Sequence, residues 1–299
     1  MRSQREVAAV PIPVETLARS IARHPDYRVQ RRSVDLDRRE PRLRKTGELS
    51  VAVIDCETTG TDPTKDRIIE LAVQRIAVDG RGAIVETGPM RSWLEDPGMP
   101  ISAEISRITG ITDADVRGLR IADGEAYSMI ATADIRLAHN AAFDRPFVDQ
   151  RLELGGEAWI CSLNDMDWTA HGFECRKLGC VLGRCGGFHD AHRAAGDVSA
   201  LVNILDHRLP GGSTVMRELI RGAARPTYLV EAPKTPFAAT QELRGRGYRW
   251  DERRKLRWRY VGEEAIDAEV EWLINDVYAG KREPVVERVT WRERYSLRE

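Results

Sequence analysis

The sequence lacks several features that would define whole classes of protein. Its five cysteines are an odd number and include no C-x-x-C pair, so a disulfide framework is not expected and reduced thiols are the default. No apolar run approaches the roughly 20 residues that a membrane-spanning helix needs. The charged start, Met1 to Glu6, has no apolar signal core behind it. We therefore expect a soluble, cytoplasmic protein with no membrane partner.

The composition is that of a folded chain with an uneven charge distribution. Hydrophobic residues make up 42% of the 299 residues, which excludes disorder and allows one full core and a second small domain. Residues 1–47 carry 12 basic and 6 acidic side chains, residues 48–210 carry 16 and 26, and residues 211–299 carry 18 and 15, so +6, −10 and +3 give the net charge of −1. An acidic centre with basic flanks suits a protein that gathers cations and grips a polyanion. Solvated charged faces without a function explain the same counts.

Apolar periodicity predicts a mixed α/β layer fold. A short amphipathic helix is expected over 14–23, followed by a basic connector that runs to Gly47. A strand at 49–54 and two strands joined at Asp79-Gly80, 68–78 and 83–94, indicate an antiparallel start to a sheet. Helices are then expected at about 101–108, 122–132, 142–154, 176–183 and 191–208, with strands at 135–138 and 158–161. This alternation is typical of helices packed on a mixed sheet.

A domain boundary is predicted between residues 210 and 226, where Pro210-Gly211-Gly212-Ser213 interrupts the pattern. Beyond the boundary, the segment from Leu243 to Val261 interleaves arginine with aromatic residues: Tyr248, Trp250, Trp258 and Tyr260. Such a segment suits stacking and phosphate contacts on a single strand. A β-hairpin around Asp251 to Lys255, with one aromatic face buried, explains the pattern equally well. We expect a basic N-terminal segment (1–47), an α/β domain (48–210) and a small α+β C-terminal domain (226–299).

Two carboxylates, Asp55 and Glu57, stand at the end of the first strand of the α/β domain. Residues two apart on a strand point to the same side, so the pair can share a divalent cation. Burying two like charges together is costly without a counter-ion. A solvated strand end is the alternative.

Two further motifs supply acidic residues and histidines. H-N-A-A-F-D, His139 to Asp144, follows a short apolar strand and opens a helix, so Asp144 lies in the first turn, where a carboxylate also favours the helix dipole. H-R-A-A-G-D, His192 to Asp197, is expected on a helix, with the two side chains about 140° apart around its axis. Both side chains can border one pocket.

Together, D-x-E-T-T-G, H-N-x-x-F-D and H-x-x-x-x-D resemble the DnaQ-like, DEDDh family of 3′→5′ exonucleases, whose best-known member is the proofreading epsilon subunit of bacterial DNA polymerase III. The resemblance covers about residues 48–208 and includes the I-T-G-I-T segment at 108–112. It implies a ribonuclease H-like mixed sheet flanked by helices, with two Mg²⁺ or Mn²⁺ ions. The residues that would hold the ions are Asp55, Glu57, Asp144 and Asp197. The residues that would bind the substrate are Thr58, Thr59, His139, Asn140 and Phe143.

The same resemblance implies that His192 is the general base for the attacking water. The tyrosine branch of the family would have a tyrosine four residues before the last aspartate, and that position is Arg193. His189, eight residues before Asp197, is disfavoured by its spacing. A zinc site made of His171, Cys175, Cys180, Cys185 and His189 is a weaker hypothesis, because the cysteine spacings do not match paired zinc ligands.

The expected function is a metal-dependent 3′→5′ exonuclease that acts on single-stranded DNA and releases nucleoside monophosphates. The alternatives are an RNA 3′-end trimmer of the ribonuclease T or oligoribonuclease type, and a nucleic-acid-binding module that uses the fold as a scaffold. The C-terminal tail does not resemble the polymerase-binding tail of the epsilon subunit, which puts a replicase partner in doubt.

Overall fold

The computed structural model of the protein describes residues 13–33 and 45–297, and the structural statements below concern those residues. Residues 34–44 of the predicted connector and residues 1–12 at the charged start of the chain lie outside the described residues. The strands are β1 (Arg31–Arg32), β2 (Leu49–Thr58), β3 (Ile68–Val78), β4 (Ile84–Leu94), β5 (Ile135–Ala138), β6 (Trp159–Cys161), β7 (Gly187–Phe188), β8 (Thr227–Pro233), β9 (Arg249–Asp251), β10 (Leu256–Gly262) and β11 (Val285–Val289).

The helices are α1 (Val14–Ile21), α2 (Ala103–Thr109), α3 (Asp113–Val116), α4 (Asp123–Ala131), α5 (Ala141–Arg151), α6 (Leu178–Arg184), α7 (Ala194–Leu205), α8 (Val215–Ala224), α9 (Thr240–Gly245) and α10 (Ile266–Trp272). A 3-10 turn, Phe237–Ala239, precedes α9, and a π-helical turn, Leu273–Val277, extends α10. No helix of the described part of the chain is both long and apolar enough to cross a membrane.

The main sheet has five strands in the order β4-β3-β2-β5-β6. Strands β2, β3 and β4 form an antiparallel meander, and β5 and β6 run parallel to β2. This is the ribonuclease H-like arrangement that the family resemblance implies, so the predicted fold class is confirmed. The predicted meander turn closes between Asp79 and Ala83, where the Asp79 amide donates to the Ala83 carbonyl over 3.0 Å. Strand β2 continues past the predicted end to Thr58.

Two apolar cores lie on the two faces of this sheet because alternate residues of each strand point to opposite sides. Val51 and Val53 of β2 belong to the core that includes α6, α7 and α8. Ala52 and Ile54 belong to the opposite core, which includes α4 and α5. Both faces of the central strands are therefore covered, which explains why β2 and β3 are apolar without a strict alternation.

Helix α8 lies within the predicted boundary region, residues 210–226, and it packs on the main sheet. Val215, Met216 and Leu219 belong to the same core as α7. Gly222 allows close approach to the loop after β6, since a Cβ at this position would lie 1.9 Å from the Asp165 carbonyl oxygen. The approach depends on a glycine at this position.

A second sheet, in the order β11-β8-β10-β9, forms the C-terminal part. Its core includes Val230, Ala232 and Val261 from the strands, packed against α9 and the end of α10. Strands β9 and β10 pair as an antiparallel hairpin around the Asp251 to Lys255 turn, so the predicted hairpin is present.

The chain returns to the main domain after β11. The Trp291 carbonyl accepts a hydrogen bond from the Trp159 amide over 2.9 Å, and the Arg294 carbonyl accepts one from Arg145 over 2.6 Å. The Arg294 guanidinium is buried and pairs with Asp165 at 2.6 Å. The last described residues therefore fasten the small sheet to the larger one.

The expectation of reduced thiols is wrong at two positions, because Cys175 and Cys180 form a disulfide. The start of α6 brings their Cα atoms to 6.4 Å, within the usual range for a bridge, and sequence spacing does not reveal this distance. Cys56, Cys161 and Cys185 are free.

The amphipathic helix predicted near the N-terminus is present as α1, but its apolar face is open to solvent. Val14 is 81% exposed, and Leu17 and Ile21 are each 44% exposed. No residue of α1 is buried. The periodicity therefore predicted the helix correctly. Within the described residues, however, no other element covers its apolar face.

Candidate active site

The first pair of acidic residues lies at the end of β2. Asp55 and Glu57 are both half-buried, and Cys56 between them is buried in the opposite core. The pairing register with β3 shifts between Glu57 and Thr58, so an irregularity in the ladder follows directly after the two carboxylates. As predicted, both carboxylates belong to one face of the strand.

Asp144 approaches this pair from helix α5. Asn140 caps the helix in a left-handed conformation, with φ 77°, a conformation that asparagine tolerates better than most residues. The following turn buries Asp144 to 2% exposure, and its Oδ1 accepts a hydrogen bond from the Cys56 amide over 3.0 Å. The carboxylate is therefore buried beside β2. A carboxylate that only stabilised the helix dipole would not need this position.

Asp197, in the first turn of α7, completes the cluster. One carboxylate oxygen from each of Asp55, Glu57 and Asp197 lies within 4.8 Å of the others. Asp144 is the carboxylate with the largest electrostatic effect on Asp55. Four acidic residues that are up to 142 positions apart in the chain thus meet at one edge of the sheet, as the sequence predicts.

The electrostatics of the cluster are unfavourable without a counter-ion. Burial, and then the charges of Asp144 and Asp197, raise the pKa of Asp55 well above its usual range. Burial, followed by the charges of Asp197 and Glu70, raises the pKa of Glu57 to about 8. Burial also raises the pKa of Asp144 to about 7, against the hydrogen bonds from Cys56. At neutral pH, such carboxyl groups retain protons unless a cation joins them.

The donor set fits a hard divalent cation. All the converging atoms are carboxylate oxygens, the ligand type that Mg²⁺ and Mn²⁺ prefer. Among the described residues, the histidine, cysteine, aspartate or glutamate side chains that lie close enough, in a group of three or more, to share an ion are Asp55, Glu57 and Asp197. The histidines and cysteines of the zinc hypothesis do not form such a group there.

Of the two candidate histidines, His192 does not lie where the sequence predicts. Helix α7 begins at Ala194, so the expectation that His192 lies on this helix is wrong; His192 is exposed, with φ 66°. A positive φ at a non-glycine residue ends the helical pattern there. His189 is the histidine in contact with the cluster, with its Nε2 3.0 Å from Asp197 Oδ1 and its side chain 6% exposed.

A fifth carboxylate, Glu70 on β3, was not predicted. It pairs in register with Glu57 across the two strands and is 2% exposed. Its Oε2 accepts hydrogen bonds from the Arg193 side chain over 3.0 Å and from the Ala194 amide over 3.2 Å. Glu70 therefore holds the two residues that follow His192. The available signal was a carboxylate with apolar neighbours on both sides, Ile69 before it and Leu71 after it.

The five predicted substrate-binding residues lie close in sequence to the carboxylates: Thr58 and Thr59 follow Glu57, and His139, Asn140 and Phe143 precede Asp144. His139 follows β5, and its Nδ1 lies 2.8 Å from the Ser162 hydroxyl. Burial lowers the pKa of His139 to about 4, so the ring is neutral at physiological pH. Asn140 and Phe143 begin α5, where the Phe143 ring lies 5.3 Å from the ring of Phe147. After β2, the Thr59 amide donates to the Arg67 carbonyl over 2.9 Å, which closes the turn.

The ribonuclease H-like sheet, with carboxylates gathered at one edge from β2, α5 and α7, has the arrangement of a nuclease. Residues 52–205, just over half of the chain, match the family model RNase_T, described as exonuclease, and the chain belongs to this exonuclease family. The family predicted from the three motifs is confirmed.

Similar proteins include two with names that refer to DNA polymerase III. The PolC-type DNA polymerase III of Mycoplasmopsis pulmonis is 30% identical over 181 residues, which cover 56% of this chain and 12% of that protein. A DNA polymerase III subunit epsilon-like protein of Rhodobacter capsulatus is 37% identical over 113 residues, covering 37% of this chain and 16% of that protein. The chain thus spans a small part of these relatives.

Two solved structures of exonucleases are also similar to this chain. Exonuclease X in complex with 5′-overhanging duplex DNA is 24% identical, with a TM-score of 0.40, and the match covers 57% of this chain and 99% of that chain. The zinc-bound E. coli ExoI–ssDNA complex is 18% identical, with a TM-score of 0.45, and the match covers 61% of this chain and 48% of that chain.

Proposed function

We propose that the protein is a two-metal-ion 3′→5′ exonuclease that removes nucleoside monophosphates from single-stranded DNA. The observation that carries the proposal is the meeting of Asp55, Glu57 and Asp197 within 4.8 Å of one another, with Asp144 against the same strand. Carboxylates alone would repel a polyanionic substrate. Cations bound between the carboxylates and the phosphate would turn this repulsion into attraction.

Four residues would hold two Mg²⁺ or Mn²⁺ ions: Asp55, Glu57, Asp144 and Asp197. When bound, the ions would neutralise charge on the phosphoryl oxygens, lower the pKa of water and stabilise the leaving 3′ oxygen. The protein contributes their position. Asp144 is fixed by the Cys56 amide, and Asp197 by the Arg193 amide, which donates to its Oδ2 over 3.1 Å.

We propose His192 as the general base that takes a proton from the attacking water. Its spacing before Asp197 is that of the histidine branch of the family, and its exposure leaves the ring free to meet a substrate. Glu70 fixes the backbone on its C-terminal side through Ala194. His189 is already bonded to Asp197, so we assign it to the support of that carboxylate.

The terminal nucleotide would lie between the turn after β2 and the start of α5. Thr58 and Thr59 offer backbone groups on one side, and His139, Asn140 and Phe143 border the other. DNA is the favoured substrate because the curated relatives are DNA polymerase III proteins or are named after one of its subunits. We further propose that residues 48–210 form the catalytic domain, with accessory domains at residues 1–47 and 226–299.

The direction and the sugar are tested with matched 20-nucleotide DNA and RNA strands labelled at either end, with Mn²⁺ or Mg²⁺ added. The proposal expects a 3′-labelled DNA strand to release a labelled mononucleotide at once, and a 5′-labelled strand to shorten stepwise. Faster loss of RNA would support the trimming alternative. Retention of an intact strand in a gel shift would support the scaffold alternative.

Variants test the assigned residues. Asp55→Ala should bind the strand without cutting it, and equal turnover by this variant would overturn the site. Removal of a general base typically costs about 10²- to 10⁴-fold in rate, so His192→Gln should lower kcat by that range. His189→Gln should act chiefly by raising the cation concentration needed for half-maximal activity. The reverse pattern would assign the base to His189.

A further inference from the structure

A large cleft separates the main domain from the C-terminal sheet. Its volume is about 1910 Å³, whereas small-molecule pockets usually measure about 300–1,000 Å³. We call it the interdomain cleft; it is lined by Asn164, Arg176 and Arg225 on the main domain and by Arg249, Trp258 and Tyr260 on the small sheet. A cleft of this size suits an extended polymer better than a small molecule.

The small sheet presents aromatic rings to this cleft. Trp258 and Tyr260 are two apart on β10, so they share one face of the strand. Both are half-buried, and their ring centroids are 5.5 Å apart in an edge-to-face arrangement. Tyr295, from the returning tail, lies 6.0 Å from Tyr260 and continues the row toward the main domain. Partly open aromatic rings are the surfaces on which unpaired bases stack.

Arginines accompany the rings, and several of them are not neutralised. The buried carboxylates of the lining, Asp165 and Glu231, are paired with Arg294 and Arg254 respectively. By contrast, three exposed arginines of the lining make no ion pair within residues 13–33 and 45–297: Arg176, Arg225 and Arg249. The lining as a whole carries nearly as many acidic as basic residues, so attraction of phosphate is confined to a few points.

The cleft lies beside the candidate active site, since Ala142, two residues before Asp144 on α5, belongs to its lining. The loop after β6 leaves the same sheet edge as the catalytic motifs, because β2, β5 and β6 are parallel. Arg176, in this loop, lines the cleft, and its backbone makes a hydrogen bond with the His139 ring. A strand whose last nucleotide lies beside His139 therefore has the cleft as its next binding surface.

We propose that the interdomain cleft binds the single-stranded segment that precedes the terminal nucleotide, with Arg225 and Arg249 on phosphates and Trp258 under a base. This inference rests on the proposed exonuclease function. A single strand is chosen over a duplex because stacking on Trp258 requires an unpaired base, and because the few unpaired arginines match a short backbone segment.

The test measures binding by fluorescence anisotropy with the Asp55→Ala variant as background, so that it does not depend on cleavage. The background protein should bind a 15-nucleotide single strand at least tenfold more tightly than a trinucleotide. Adding Arg225→Gln and Arg249→Gln should remove most of this length advantage. It should also reduce the slope of log affinity against log salt by about 1.4, since each neutralised phosphate of a single strand contributes about 0.7.

A charge-matched control replaces two exposed arginines outside the cleft, Arg244→Gln with Arg282→Gln, and should leave the length advantage unchanged. Trp258→Leu, which keeps an apolar side chain, should weaken the 15-nucleotide strand roughly tenfold. Thermal melting confirms that each variant is folded. Equal losses in the control pair, no loss in the cleft variants, or tighter binding of a blunt duplex would each overturn the proposal. If the protein with Asp55 intact shows the same length-dependent binding but does not cut the strand in the presence of Mn²⁺, that result counts against the proposed function and not against the cleft.

Discussion

The cluster of acidic residues should make the stability of the protein fall as the pH rises in the absence of divalent cations. The pKa of Glu57 increases from 4.5 to about 8 in the folded protein, and that of Asp144 from 3.8 to about 7. Between its unfolded and folded pKa, each carboxyl is protonated in the folded chain and ionised in the unfolded one. The free energy of unfolding therefore decreases as the pH rises from about 4 to about 8.

The size of this effect follows from the pKa values. A carboxyl whose pKa rises from 4.5 to about 8 loses on the order of 5 kcal/mol of folding free energy on full ionisation. Partial solvation reduces this value, so we expect a fall of several kcal/mol for the cluster as a whole. A divalent cation at about 100 times its dissociation constant should restore about 2.7 kcal/mol, because it binds only the folded cluster.

The assay is urea unfolding at pH 5 and pH 8, each with EDTA and with Mn²⁺. Asp55→Asn removes one charge at nearly constant volume and should unfold at higher urea than the parent at pH 8 in EDTA, while losing the Mn²⁺ effect. Asp267→Asn, at an exposed site on α10, serves as the control and should leave both effects unchanged. A metal-free parent whose stability is constant or rises between pH 5 and pH 8 would refute the electrostatic argument.

Three further changes test other contacts. Arg294→Met should lower the free energy of unfolding by about 3–5 kcal/mol in urea, because it leaves Asp165 buried without its partner; a loss below 1 kcal/mol would contradict this. Gly222→Ala should lower the melting temperature, with a cost of at least about 2 kcal/mol from its backbone clash; an unchanged melting temperature would mean that α8 shifts freely. Glu70→Gln should reduce kcat on a labelled strand about tenfold by weakening its bonds to Arg193, while cation titration by melting stays unchanged; a shifted titration would place Glu70 among the ligands.

The sequence predicted that the carboxylates meet at one edge of the sheet, because the position of each one follows from local rules. Asp55 and Glu57 share a side because residues of a strand alternate. Asp144 follows a strand parallel to β2, and a strand of that kind ends at the same sheet edge. Strand alternation and helix starts are encoded over a few residues, so the motifs determine the meeting of the carboxylates.

The remaining features depend on contacts between distant segments. The part played by Glu70 requires the pairing register of β2 with β3, and the contact of His189 with Asp197 requires the path of the loop before α7. The Cys175–Cys180 bridge depends on a distance that spacing does not give. Helix periodicity likewise extended α7 back to residue 191, because it does not detect the positive φ at His192.

The buried side chain of Arg294 fastens both ends of the small sheet at one point. Besides Asp165, it bonds the carbonyls of Ala223 and Arg225, where the chain enters that sheet, over 3.3 and 2.9 Å, and it belongs to the tail by which the chain leaves. A domain tied at its entrance and its exit together has little freedom to swing outward. Under the proposed function, the interdomain cleft then has a fixed width. A free strand end can enter such a cleft directly, so the protein can select ends over internal positions without a moving lid.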